Sequence, residues 1–281
     1  MTTARQAFTE QDVEGFFDQT HQTYLDFWDA EGVLHTGYFL GLDDDDYRGA
    51  AQRTSDVLAA DAGIDSSSYV LDAGCGCGPF LIDLAQKHGC KGEGLDLSSE
   101  RINFARKQLA GANAGLDVTF THGSVTAMPY EDNTFSHVVS QDALCLVPDK
   151  AKTQSEVFRV LKPGGIFAFS DFLQPKPDIS ERGRTHVYDR VRWNSGFSYL
   201  GYQQSLIDTG FEMVLARNLL TQIRQTYRVI GKMATTRAAV TDNQVEKDWI
   251  LAFAESCGEI ELAIDRGEFG WGMFIARKPV S

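Results

Sequence analysis

The run Tyr69-Val-Leu-Asp-Ala-Gly-Cys-Gly-Cys-Gly78 constrains this chain more than any other stretch. Apolar residues lead into Asp72, glycines follow at 74, 76 and 78, and Pro79 opens a helix-forming segment. A strand that turns this tightly into a helix needs backbone conformations that glycine adopts freely, and glycine also lets a ligand approach the main chain. Strand and helix then alternate. Tyr69–Ala73, Lys91–Asp96, Val118–His122, His137–Gln141 and Gly165–Phe172 read as short apolar strands. Phe80–His88, Glu100–Ala110 and Ala151–Leu161 read as helices, the last stopped by Lys162-Pro163-Gly164-Gly165. Such alternation predicts an α/β fold, a mostly parallel sheet with helices on both faces.

Two zones flank this core. Upstream, Phe16, Phe17, Thr20, Tyr24, Phe27 and Trp28 recur at helical spacing, and residues 1–58 are expected to form a helical lid. The acidic run Asp43 to Asp46 reads as a solvated loop or helix start. Residues 59–281 are expected to form the main domain, with a helical insertion at about 221–265 before a final strand, Phe269–Arg277. A formal charge of −13 disfavours nucleic acid as a partner, since phosphate binding needs a basic surface. Five scattered cysteines without a C-x-x-C pair argue against a disulfide framework and a zinc site, and fit a reducing cytoplasm. No signal peptide or membrane span is read, no metal is expected, and the chain is expected to act as a monomer or homodimer.

The chemistry gathers at the strand ends. A dinucleotide fingerprint sets its third glycine three residues after the second, close to a pyrophosphate. Here the spacing is G-x-G-x-G and Asp72 precedes it, an acid unwelcome beside phosphates. This favours S-adenosylmethionine over NAD. Asp96, at the tip of the next strand and followed by Leu97, is placed to accept hydrogen bonds from ribose hydroxyls.

With the strand Asp132-Asn-Thr-Phe-Ser-His-Val-Val-Ser140 and the turn Arg159-Val-Leu-Lys-Pro-Gly-Gly165, the set resembles the class I S-adenosylmethionine-dependent methyltransferases. The resemblance runs from about Tyr69 to Phe172. It implies a Rossmann-like sheet of seven strands with the last antiparallel. It also puts Asp72, Gly74 and Gly76 along the methionine part, Asp96 at the ribose, Ser124 and Val125 at the adenine, and Gln141 near the reacting centre. Leu97 and Tyr38 join the cofactor set. S-adenosylhomocysteine would be the product.

A narrower resemblance, to the glycine, sarcosine and dimethylglycine N-methyltransferases that make glycine betaine, is carried by Val139-Ser-Gln-Asp-Ala143, Phe169-Ser-Asp-Phe-Leu-Gln174, Asn194-Ser-Gly-Phe-Ser-Tyr199 and Gly270-Trp-Gly-Met-Phe-Ile275. A small amino acid needs a cation for its carboxylate and surroundings that tolerate positive charge on nitrogen. Among the arginines at 182, 184, 190 and 192, Arg190 and Arg192 are the candidates for the first need, and Trp28, Trp193 and Tyr199 for the second. Tyr24, His35 and Gln141 are the catalytic candidates, for deprotonating or orienting an amine. Two alternatives stand beside this reading: S- or C-methylation of a thioether acid or ring compound, and cofactor binding without catalysis.

Overall fold

The structure, a computed structural model, describes residues 7–111 and 113–280. Seven strands form one sheet: β1 (Tyr69–Ala73), β2 (Lys91–Asp96), β3 (Val118–His122), β4 (Phe135–Gln141), β5 (Leu161–Leu173), β6 (Glu212–Asn218) and β7 (Gly270–Arg277). Their order is β3-β2-β1-β4-β5-β7-β6, and β7 runs antiparallel to both neighbours. The architecture is the Rossmann-like sheet expected from the alternation.

Burial explains the apolar strands. Neighbouring residues point to opposite faces, so Val70, Val139 and Ala168 join one buried cluster while Leu71, Val138 and Phe167 join another. Both faces are therefore covered at the centre of the sheet, which is why β1 and β5 carry long buried runs, while the edge strand β3 alternates.

Helices α1 (Glu10–Phe27) and α2 (Tyr47–Ala62) precede the sheet, and α3 (Pro79–His88), α4 (Ser99–Ala110) and α5 (Lys150–Val160) cross over between its strands. Their starts are written locally. Thr9 and Asp12 form a reciprocal cap on α1, Pro79 occupies the first turn of α3, and the Ser98 and Asp149 side chains cap α4 and α5. The acidic run is used in the same way: Asp46 caps α2, Asp44 pairs with Arg53, and Asp45 pairs with Lys232. The side chain of Phe27 lies outside the described residues.

After β5 the chain passes through short helical turns, of which α6 (Glu181–Gly183) is the first and which run on to Val191. Then come α7 (Tyr199–Thr209) and, between β6 and β7, the antiparallel pair α8 (Leu220–Val240) and α9 (Gln244–Asp265). This pair ties down the segment that follows α1. Gly37 N–H donates to Thr226 at 3.1 Å, Phe39 N–H donates to Gln222 at 2.6 Å, and Gln225 donates to the Leu42 and Asp44 carbonyls.

Strand order reverses between β1 and β4, and the crevice outside their carboxyl ends is where such sheets bind ligands. Here α1, the 181–191 turns and α8 close over that crevice. No helix among the described residues is long and apolar enough to cross a membrane.

Candidate active site

The crevice encloses a cavity of about 210 Å3. Its floor is the glycine loop. Gly74 has φ +83°, and a Cβ there would come within 2.5 Å of the Ala143 Cβ, where the loops after β1 and β4 touch. Gly76 has φ +54°, and a Cβ on it would meet nothing closer than Arg101 at 3.7 Å, so the backbone is bare toward the cavity. A side chain would occupy the space that the glycine leaves open.

Asp72 is 2% exposed, and among the described residues no hydrogen bond or ion pair reaches its carboxylate. Burial pushes its pKa up to about 8, and the nearby charge of Asp96 adds to the shift. A buried acid in this state favours a cationic partner. Asp96 is oriented by two backbone donors, Gly76 N–H and Ser98 N–H, each at 2.8 Å. Leu97, Ser124 and Val125 continue the same wall.

Helix α1 covers this end. Glu10 accepts from Ser124 Oγ at 2.8 Å and from Thr126 Oγ1 at 3.0 Å, while Asp18 accepts from Ser98 Oγ at 2.5 Å. Phe17 lines the cavity and carries the Arg101 guanidinium at 4.1 Å. Arg101 Nε and Nη2 are buried without a hydrogen-bond partner. Bare glycine backbone, an unpaired acid and a guanidinium with spare donors form a set that fits a zwitterionic, diol-bearing nucleoside such as S-adenosylmethionine.

The opposite wall comes from α1, the 181–191 turns and α8. Tyr24, Trp28, Arg190, Tyr227 and Phe172 lie along it. Arg190 reaches the His186 carbonyl through Nε at 3.2 Å and sits 5.5 Å over the Phe253 ring. Burial holds the Tyr227 phenol protonated, with its pKa raised. Gln141 and His35 complete the lining, together with Asp142. Asp142 is one of few non-glycine residues with positive φ, +53°. Its carboxylate accepts from Trp271 Nε1 at 2.6 Å, Ser170 Oγ at 2.8 Å and Thr36 N–H at 2.7 Å.

The cavity thus brings together Tyr24, Trp28, His35, Asp72, Gly74, Gly76, Asp96, Leu97, Ser124, Val125, Gln141 and Arg190. Four other candidates lie elsewhere, each for a packing reason. Tyr38 is half-buried against the core, its backbone bonded to Ala50 and Arg53, off the cavity wall. Arg192 turns away in a left-handed conformation, φ +62°, and stacks near the rings of Phe8 and Phe16. Trp193 is fully buried, stacked 4.2 Å from Tyr188. Tyr199 begins α7 and packs 5.6 Å from Phe274 beneath the sheet's other face.

The remaining arginines of that group are structural: Arg182 pairs with Glu259, and Arg184 caps the Asn194 carbonyl. Arg101, Asp142 and Tyr227 were missed. A cation three residues after the Ser98 cap was a readable signal for Arg101, because it shares a helix face with the cap. Nothing local marks Tyr227.

A family model described as a methyltransferase domain matches residues 64–195. The chain is 29% identical to the sarcosine/dimethylglycine N-methyltransferase of Halorhodospira halochloris, over 98% of this chain and 96% of that protein. It is 26% identical to a sterol 24-C-methyltransferase of Saccharomyces cerevisiae, over 75% of this chain and 57% of that protein. The cyclopropane synthase MmaA2 of Mycobacterium tuberculosis shares the fold, with a TM-score of 0.85 at 13% identity over 98% of this chain and 100% of that one. With the glycine loop and its acids in place at the strand ends, the chain is an S-adenosylmethionine-dependent methyltransferase of the class I fold.

Proposed function

We propose that this methyltransferase acts on the nitrogen of a small amino acid of the sarcosine or dimethylglycine type, toward glycine betaine. The observation that carries the reading is Arg190, a guanidinium that lines the cavity beside Tyr24 and Tyr227, with Trp28 in the same lining. A carboxylate is its natural partner, and the aromatic faces tolerate the cation that methylation leaves on nitrogen.

In this arrangement Asp72 would hold the ammonium of the methionine part, Asp96 and Arg101 the ribose, and Leu97, Ser124 and Val125 the adenine. When bound, S-adenosylmethionine supplies an electrophilic methyl group whose C–S bond breaks with its electron pair passing to sulfur. The protein chiefly holds the nitrogen in line, an effect worth roughly 7–11 kcal/mol in good cases. Tyr24 and Gln141 orient the amine and His35 takes its proton. We place the reaction in the cytoplasm, a reading supported by five buried cysteines that are all free thiols.

The test is methyl transfer from labelled cofactor, with glycine, sarcosine and dimethylglycine offered separately and product masses read. Betaine from dimethylglycine is the expected result. A cofactor-binding enzyme that methylates none of the three would overturn the substrate class. The second reading, S- or C-methylation of a thioether acid or ring compound, draws on the apolar side of the cavity: Leu144, Leu146, Val147 and Phe172.

A further inference from the structure

A second cavity, of about 340 Å3, lies behind His35. Its walls are largely polar, with Arg48, Gln52, Asp83, Gln86, Gln108 and Asn113 among them. His35 lines both cavities, whereas Gln141 lines only the first and Ser55 only the second. A polar chain crosses the partition. Gln141 and Ser55 Oγ lie 3.3 Å apart, and Ser55 Oγ is 3.5 Å from His35 Nε2. Contacts of this length are usual before substrate tightens a site.

The main chain that carries the ring is also held in place. Tyr47 Oη donates to the His35 carbonyl at 2.9 Å, Thr54 Oγ1 donates to the Thr36 carbonyl at 2.7 Å, and Thr36 N–H donates to Asp142 at 2.7 Å.

We infer that the second cavity is the proton exit of the reaction, with His35 as the relay. The inference rests on the amine reading above. A small amino acid arrives as an ammonium, which has no lone pair with which to attack a methyl group. Its N–H bond must break with the electron pair staying on nitrogen, inside a cavity that α1 covers. His35 accepts the proton, directly or through one water, and releases it to water in the second cavity, which returns the ring to neutral. A thioether acceptor has no proton to lose and needs no such exit.

The electrostatics suit a relay. Burial lowers the imidazole pKa, while Asp142 at the end of β4 and Asp29 after α1 oppose that shift. The ring is thus neutral and able to accept at neutral pH, with two acids that ease its charged state. The other titratable groups on the two cavities are Glu10, Glu14 and Tyr24 from α1, Glu31 and Arg48 from the segment after it, Asp72, Cys75 and Cys77 from β1 and the glycine loop, Asp83 from α3, Asp96 and Arg101 from the end of β2 and α4, and Arg190 and Tyr227 from the 181–191 turns and α8.

His35→Ala removes the relay and opens the partition, so free imidazole can enter from the second cavity. The expected result is a fall in kcat/KM for the amine of about 100-fold or more, with S-adenosylhomocysteine still bound. Added imidazole should restore much of the rate, and the rescue should grow with pH as imidazole becomes neutral. A further Gln52→Trp change, which places a larger side chain in the wall of the second cavity, should weaken the rescue. A cofactor-binding His35→Ala enzyme that imidazole does not rescue overturns the exit, as does rescue that Gln52→Trp leaves undiminished. Failure of the wild-type enzyme to methylate any amine overturns the reading beneath it instead.

Discussion

Replacing Arg190 with methionine isolates the cation from the bulk around it. Methionine keeps an unbranched stem beside Tyr24, Tyr227 and Phe253, and removes the charge and the donors. The cost to the folded protein is modest, because the bonds given up are the one from Nε to the His186 carbonyl and one to the Tyr227 hydroxyl, each worth about 1 kcal/mol. With acceptor bound the loss is larger. A charge-assisted hydrogen bond to a carboxylate contributes about 1.5–3 kcal/mol, and a bidentate pair lies toward the upper end. At about 1.4 kcal/mol per factor of ten, KM for a carboxylate acceptor should rise by roughly 10- to 150-fold. Affinity for S-adenosylhomocysteine, read by calorimetry, should not change, since Arg190 comes from the 181–191 turns and its recorded partners are His186, Tyr227 and Phe253, not the glycine loop. The assay sets dimethylglycine against a dimethylamine that lacks the carboxylate. Wild type should prefer the acid by that factor, and Arg190→Met should not. If the substitution leaves KM for the acid unchanged, or raises KM equally for both acceptors, Arg190 is not the carboxylate partner and the reasoning is refuted.

Asp72 predicts a linkage with a definite sign. Its folded pKa of about 8 lies above the unfolded value of 3.8, so it stabilises the ligand-free protein at low pH and loses that contribution as pH rises through 8. Cofactor binding near pH 7 should therefore release a proton, seen as a buffer-dependent heat in calorimetry and absent in Asp72→Asn. Gly74→Ala sets a Cβ 2.5 Å from Ala143 at a positive φ, and should cost about 1–3 kcal/mol in denaturant unfolding and weaken cofactor binding. A wild-type unfolding midpoint would show that the two loops separate freely. Glu10→Ala removes both hydrogen bonds that hold α1 to Ser124 and Thr126, so S-adenosylhomocysteine should dissociate faster in stopped flow, by about ten-fold. An unchanged dissociation rate would mean that α1 does not act as a latch.

The parts of the molecule legible in the chain are those whose causes are local. The strand Tyr69–Ala73 is legible as an apolar run, because burial on both faces of a parallel sheet demands one, while Lys91–Asp96 and Val118–His122, nearer the sheet edge, are legible from their place between helix-forming segments. The glycine loop is legible for the same reason. Positive φ at residues 74, 76 and 78 leaves few other residue types, and the loop stands one residue past the acid that shares its site. Chain order then carries Asp96, Leu97, Ser124 and Gln141 to the same crevice, since every parallel strand ends on the same side.

The opposite wall is different, because no local pattern says which way a side chain turns. Arg190 and Arg192 are two residues apart and chemically alike, yet one enters the cavity and the other lies back over Phe8 and Phe16. A left-handed turn at Arg192 separates them, and it brings Trp193 back onto Tyr188 in the core. Tyr227 reaches the site from the insertion only because α8 packs beside β7, and Asp142 is held by partners more than a hundred residues away, at Thr36 and Trp271. The composition and spacing of this chain decide that a bare glycine loop and two acids, Asp72 and Asp96, meet at the ends of the first strands. Which groups meet the methyl acceptor is decided by helices arriving from both ends of the chain, whose approach follows from packing over long sequence separations.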